Sequence, residues 1–325
     1  MDHFLPTSDH ETMTMSNGAM LLVKFTSFIC GGVALSLSLT HKLADLSSLV
    51  TLLQTWTKIS LGDNELVVPE LFLGANLLPC KPDLPNMSAS INIKEEKFSM
   101  KRFVFSATKL AEIKARVDPE FEQVMHCHAS RVEMVLALIW KCAVAAKQAK
   151  NMGEFKPSVM FQAVNLRQRM SPLLPENAMG NFIWPFMLVV KEENDMELVQ
   201  LVIQMRKSFN HFCNNDVNKF KGKEGIIKIL EKLKEREEFF KKMGDTSVYR
   251  CSSWCKFPLY DADFGWGKAL WHVSVNKMVN NTVALMDTRS RDEIEVILTL
   301  DEEEMKILET NQELLEYATI NPSIN

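Results

Sequence analysis

A chain of 325 residues with 37 basic and 41 acidic side chains, net charge −4, is too long for one small hydrophobic core. Its 46% hydrophobic and 24% charged residues are the proportions of a globular protein and exclude a disordered one. The charge balance also excludes a broad attraction to nucleic acid or an anionic membrane, so a phosphate-bearing ligand must be gripped by a few local cations.

The opening residues MDHFLPTSDHETM lack a basic stretch leading into an apolar one, so no signal peptide is read there. LLVKFTSFICGGVALSLSL (21–39) is the most apolar run, yet Lys24, Gly31-Gly32 and several hydroxyls break it too often for a membrane span. It reads as two strands, 21–30 and 33–39, split by a bulge or turn at the glycines. Leu46, Leu49, Val50, Leu53 and Trp56 recur at helical spacing, so a strand gives way to a helix around residues 40–46. Residues 74–100, with Pro79, Pro82 and Pro85, read as an exposed linker and a domain boundary.

KRFVFSATKLAEIKARV predicts a strand and a helix, and SRVEMVLALIWKCAVAAKQA a long buried helix opened by a Ser130/Glu133 capping box. PSVMFQAVNL and MGNFIWPFMLVV (179–190) read as strands, and 195–243 as mostly helical with a solvated, charge-alternating face. VALMD and EVILTL are further strands, and DEEEMKILETNQELLEYA is a last helix with acids in its first turn. Strands and helices mix without strict alternation, which predicts two α/β sandwich-like domains. Seven cysteines with no CxxC pair point to reduced thiols in a cytoplasmic protein.

Two short stretches stand out. DADFGWGKALWH (261–272) shares Asp263-Phe264-Gly265 with protein kinases, but no glycine-rich loop, strand lysine or HRD loop accompanies it. GxxxxGK[ST] and GxGxxG both fail here, leaving a structural turn in which Gly265 and Gly267 supply backbone freedom. In THKLADLSS (40–48), His41 precedes Asp45 by four residues. A histidine where a strand opens into a turn can project into a cleft and titrates near neutrality, whereas Asp45 is equally at home as a helix N-cap. His126-Cys127-His128 is a third cluster, but adjacent ligands rarely converge on one tetrahedral ion.

HxxxD followed far downstream by DFGWG resembles the BAHD family of plant acyl-CoA-dependent acyltransferases. FTSFICGGVALSLSLTHKLADLSSL, SRVEMVLALIWKCA, VNLRQRMSPLLPENAMGN, SSWCKFPLYDADFGWGKALW and the terminal YATINPSI extend the likeness over nearly the whole chain, closest to its alkaloid acetyltransferase branch. The resemblance implies a two-domain, chloramphenicol-acetyltransferase-like α/β fold of mixed sheets flanked by helices. Residues 1–80 with about 262–287 would form the first domain, 81–97 a crossover linker, and 98–261 with 288–325 the second. It implies an O-acyltransferase acting on a plant specialised metabolite such as an alkaloid, monomeric and cytoplasmic. Its co-substrate would be acyl-CoA, in particular acetyl-CoA, with no metal.

The resemblance also implies roles. His41 would be the general base, and Ser252 and Trp254, in Ser252-Ser253-Trp254 where the family has TSW, would stabilise the oxyanion. Asp45 would pair with Arg167 of VNLRQR, while Asp263, Gly265 and Gly267 would be architectural. Ala269 stands where the family usually has proline. Roughly a quarter of the family's length has no counterpart before residue 1, so the first domain is expected to be depleted and the competing reading is an inactive homologue that only binds ligand.

Overall fold

Alternating residues in LLVKFTS and VALSLSL pair as an antiparallel hairpin, β1 (Leu21–Ser27) with β2 (Val33–Leu39), with Leu21 opposite Leu39. The glycines close a turn: Gly31 has φ +84° and the Phe28 amide donates to the Gly32 carbonyl at 2.9 Å. After a turn at residues 41–43 the chain enters α1 (Leu46–Ser60), whose N-cap Asp45 accepts from the Ser48 amide at 3.0 Å. This computed structural model describes residues 2–6, 19–63, 69–71, 73–78, 97–274 and 279–323.

A seven-stranded mixed sheet organises the rest. Its strands are β3 (Phe98–Phe105), β4 (Ser158–Asn165), β5 (Ile183–Val190), β6 (Ser247–Ser253), β7 (Thr282–Asp287), β8 (Ile294–Asp301) and β9 (Thr319–Ile320). They lie in the order β5-β4-β6-β7-β8-β3-β9, with β4, β6 and β7 mutually parallel and every other pairing antiparallel.

Between the short helix α2 (Leu73–Leu77) and the later ones come α3 (Ala107–Met125), α4 (Arg131–Lys150), α5 (Leu198–Asn215) and α6 (Gly222–Met243). The capping box of α4 is formed, with Ser130 and Glu133 satisfying each other's amides. Its residues 134–140 are buried all round, and Trp140 donates from Nε1 to Ser158 Oγ at 2.9 Å, fixing α4 on that face of the sheet. Side chains alternate along a strand. Phe161 therefore faces the other way, where α6 meets it through Phe240, ring centroids 6.0 Å apart.

Several sequence expectations need correction. The last helix is two, α7 (Glu302–Leu308) and α8 (Gln312–Tyr317), because Asn311 adopts an extended conformation and caps the second through the Leu314 amide at 2.9 Å. No strand was expected over 247–253, yet β6 sits inside the sheet between β4 and β7. Residues 282–287 were grouped with the first domain, but β7 is hydrogen-bonded on both sides within the large sheet. The stretch 74–100 is not wholly linker: α2 and β3 reach into it, and 79–96 lie outside the described residues.

The DFGWG turn couples the hairpin unit to this sheet. Asp263 Oδ1 accepts from the amides of Gly265 (2.8 Å) and Gly267 (3.0 Å), and both glycines have positive φ, +98° and +103°. Phe264 packs edge-on against Trp56 of α1 at 5.0 Å, and Trp266 against Phe25 of β1 at 5.9 Å. A Cβ on Gly265 would lie 3.3 Å from Leu61 Cδ2, whereas one on Gly267 would meet open space. Both Gly265→Ala and Gly267→Ala are expected to lose about 1–3 kcal/mol in urea denaturation through the forced backbone, with the greater loss at Gly265. Wild-type stability in Gly267→Ala would show that the turn does not hold this conformation.

Candidate active site

His41 stands in the turn directly after β2, with its side chain exposed. Its carbonyl accepts from Asn181 Nδ2 at 2.6 Å, while its imidazole has no hydrogen-bond partner among the described residues. What positions this turn is Asp45, four residues on. The Arg167 guanidinium grips its carboxylate at two points, Nη1 to Oδ2 at 2.7 Å and Nη2 to Oδ1 at 3.0 Å. Both residues are buried, Arg167 completely and Asp45 to 4% exposure.

Every remaining bonding position of this pair is used, as a buried charge requires. Asp45 also accepts from the Ser48 amide and hydroxyl and from the Phe182 amide at 2.9 Å. Arg167 also donates to the carbonyls of Ala178 (2.7 Å) and Gly180 (3.2 Å) and to Asn165 Oδ1, and it stacks over the Phe182 ring at 4.8 Å. Asp45 is thus N-cap and ion-pair partner at once.

Topology relates this knot to Ser252 and Trp254. Strands β4 and β6 run parallel with Gln162 beside Cys251, so Asn165 at the end of β4 is level with Trp254 just past β6. Asn181 and Phe182 enter β5 at the same end, since Asn165 pairs with Ile183. His41 is therefore tethered at the carboxyl end of the parallel strands, where open α/β sheets commonly bind ligands. No hydrogen bond joins His41 to Ser252 or Trp254 among the described residues. Ser247, Tyr249 and Cys251 are buried, so Ser252 points to the face opposite α4, with its hydroxyl unpartnered among the described residues. The Trp254 amide donates to the Leu285 carbonyl at 2.7 Å and is no longer available, which leaves the indole N–H as its free donor.

The cysteines near this site are poor nucleophiles. Burial pushes the thiol of Cys251 above the ordinary range and that of Cys255 to about 11, so both stay protonated at neutral pH. Asp263, Gly265 and Gly267 sit in the turn against α1 and β1, and no hydrogen bond joins them to His41 among the described residues. Of the histidine–cysteine cluster, His128 Nδ1 meets Asp118 at 3.1 Å and also reaches Glu122; Lys114 already pairs with Asp118, and Cys127 Sγ accepts from Arg206 Nη1 at 3.0 Å.

His272, unremarked in the sequence, packs its ring 4.3 Å from that of Tyr260, beside a small cavity that Trp254 also lines. Its Nδ1 is buried without a partner, and burial lowers its pKa from 6.5 to about 4, against a small upward pull from Asp287. The folded pKa lies below the unfolded one. The stability due to neutral His272 is therefore complete above pH 6.5 and is lost as pH falls from there through 4.

Two measurements test these assignments. Arg167→Met leaves a buried carboxylate without its cation and is expected to cost about 3–5 kcal/mol in urea denaturation; a loss below about 1 kcal/mol would mean that the pair does not fix the turn. Thermal midpoints of the wild type are expected to fall more steeply between pH 6.5 and 4 than those of His272→Phe. Parallel curves would contradict the buried neutral ring.

Comparison with known proteins agrees with this architecture. Akuammiline synthase 1 of Alstonia scholaris is 32% identical over 313 residues, covering 95% of this chain and 70% of that protein. Vinorine synthase of Rauvolfia serpentina is 34% identical over 310 residues, 95% of this chain and 69% of the relative. The crystal structure of vinorine synthase superposes with a TM-score of 0.78 over 97% of this chain and 70% of that one, at 33% identity. F. sporotrichioides TRI101 complexed with coenzyme A and T-2, at 17% identity and a TM-score of 0.67, shares the fold. No helix among the described residues is long and apolar enough to cross a membrane. Residues 1–315 match the Transferase family, and the chain belongs to it, the BAHD acyltransferases, enzymes that transfer acyl groups from acyl-CoA.

Proposed function

We propose that the chain transfers an acetyl group from acetyl-CoA to a hydroxyl of a plant specialised metabolite such as an alkaloid, with His41 as general base. The observation that carries this reading is an exposed imidazole, free of hydrogen bonds among the described residues, on a turn anchored by the Asp45–Arg167 pair. His41 takes the proton from the acceptor hydroxyl as its oxygen attacks the thioester carbonyl. The Ser252 hydroxyl and the Trp254 indole N–H are the donors suited to the oxyanion that develops. On collapse the C–S bond breaks, and the imidazolium returns the proton to the departing thiolate. Asp45, Arg167, Asp263, Gly265 and Gly267 take no proton and touch no substrate in this reading; they hold the turn and the hairpin unit in place.

A second reading, a homologue that binds ligand without turnover, draws on the hairpin. Val23, Phe25, Phe28, Ile29 and Val33 are exposed there, an apolar surface of the kind that binds a ligand or partner. Purified protein assayed for free CoA thiol with acetyl-CoA and a panel of hydroxylated alkaloids and terpenoids separates the two. Turnover in the wild type with at least a hundredfold loss in His41→Ala is expected for the enzyme. Equal background rates in the two proteins reject it.

A further inference from the structure

On the side of the sheet that carries Ser252 lie two arginines with no acidic partner among the described residues, one on β6 and one on α6. Arg250 lies two residues before Ser252, on the same face of β6, and its strand neighbour on β4 is Phe161. Arg236 reaches the same ring from α6, with its guanidinium carbon 5.6 Å from the Phe161 centroid. Arg236 thus lies over the Phe161 ring and Arg250 stands on the neighbouring strand at the same register, and among the described residues neither meets a carboxylate. Arg250 is exposed, yet the protein packed around it and then the like charge of Arg236 lower its pKa below the usual arginine value.

Phe161 and Arg236 also line a cavity of about 720 Å³ at the outer edge of β5, together with Trp184, Met187 and Phe239. The acids lining it are both paired to lysines, Asp216 to Lys219 at 3.6 Å and to Lys232 at 3.8 Å, and Glu235 to Lys232 at 3.2 Å. Lys207, also on the lining, has no acidic partner among the described residues. Positive charge is therefore left over beside aromatic rings in a space large enough for a small organic ligand. Strands β6, β4 and β5 are successive, so this cavity lies roughly 10–15 Å from Ser252 across the sheet.

We propose that Arg236 and Arg250, the one over Phe161 and the other next to it across the β4–β6 register, form a subsite for an anionic group attached to a planar ring. Guanidinium groups bind phosphate and carboxylate through paired charge-assisted hydrogen bonds, and aromatic walls stack a ring. If the acyl-transfer reading holds, the group belongs to one of two substrates: the phosphoadenosine end of the donor, or a carboxylate on an aromatic acceptor. A cationic acceptor is disfavoured there by the same charges.

Titration calorimetry on the purified protein, without turnover, tests the subsite independently of the reaction. The probes are adenosine 3′,5′-bisphosphate and 4-coumarate, with adenosine and 4-coumaryl alcohol as their uncharged counterparts. Arg236→Gln and Arg250→Gln are each expected to weaken at least one anionic probe by about tenfold or more and to leave the uncharged compounds unchanged, with Arg236→Lys recovering part of the loss. Weakening of the bisphosphate alone assigns the subsite to the donor, and of coumarate alone to the acceptor. The subsite is refuted if neither anion binds at millimolar concentration, or if both bind equally well to the variants. Arg236 sits on a helix surface, so its variants carry the test should Arg250→Gln not fold. A wild type that binds but does not turn over sinks the transferase reading while leaving the subsite standing.

Discussion

The arrangement of this molecule around its candidate base depends on one buried ion pair. Asp45 and Arg167 come from positions 122 residues apart and meet with almost no water around them. Removing two charges from solvent is costly, and the attraction between them offsets that cost only when every remaining donor and acceptor is bonded. Here the carboxylate also takes the Ser48 and Phe182 amides, and the guanidinium also takes the carbonyls of Ala178 and Gly180. Such a network permits one geometry and penalises every other. Its contribution is therefore to place the turn at residues 41–43, and with it His41, against the entry to β5.

The second attachment is made of different material. Where the ion pair is polar and buried, the DFGWG turn is aromatic and largely exposed, with Trp266 at 62% exposure. Phe264 and Trp266 stack at 5.4 Å and reach Trp56 and Phe25, so one turn touches both α1 and β1. The hairpin needs this support, since two strands alone are marginal in water. One clamp sets the position of the turn that holds His41, and the other keeps the hairpin behind it from swinging away.

Motif order carried most of this into the sequence. HxxxD and DFGWG are legible because each is a local device: a strand end running into a capped helix, and a turn that only glycine can close. The same holds for α4, whose capping box and continuous apolar run announce it. What stayed hidden depends on non-local pairing. SVYRCSS has the period of a strand, but its buried positions are Ser247, Tyr249 and Cys251, small or polar-tipped residues that hydrophobicity overlooks. Only the parallel partners β4 and β7 make it central. Likewise the apolar spacing across 302–317 is continuous, and the break at Asn311 comes from its side chain capping the next turn.

The chemistry is the least legible layer, because it depends on what is absent around a residue. Lys150, Lys156 and Arg131 each sit against a carboxylate, and nothing in their sequence context separates them from Arg236 and Arg250, which do not. The difference lies in the sheet. One face is sealed by α4, with Tyr249 and Cys251 driven inward, while the face bearing Phe161, Arg250 and Ser252 is only partly covered by α6. Like charges on neighbouring elements repel, and no described carboxylate pairs with either arginine. A net charge of −4 supplies acids in plenty elsewhere on the chain. The acids nearest Arg236 are taken up by lysines, and neither arginine has one of its own among the described residues, on the side that also bears the unpartnered Ser252 hydroxyl, which suits a negatively charged guest.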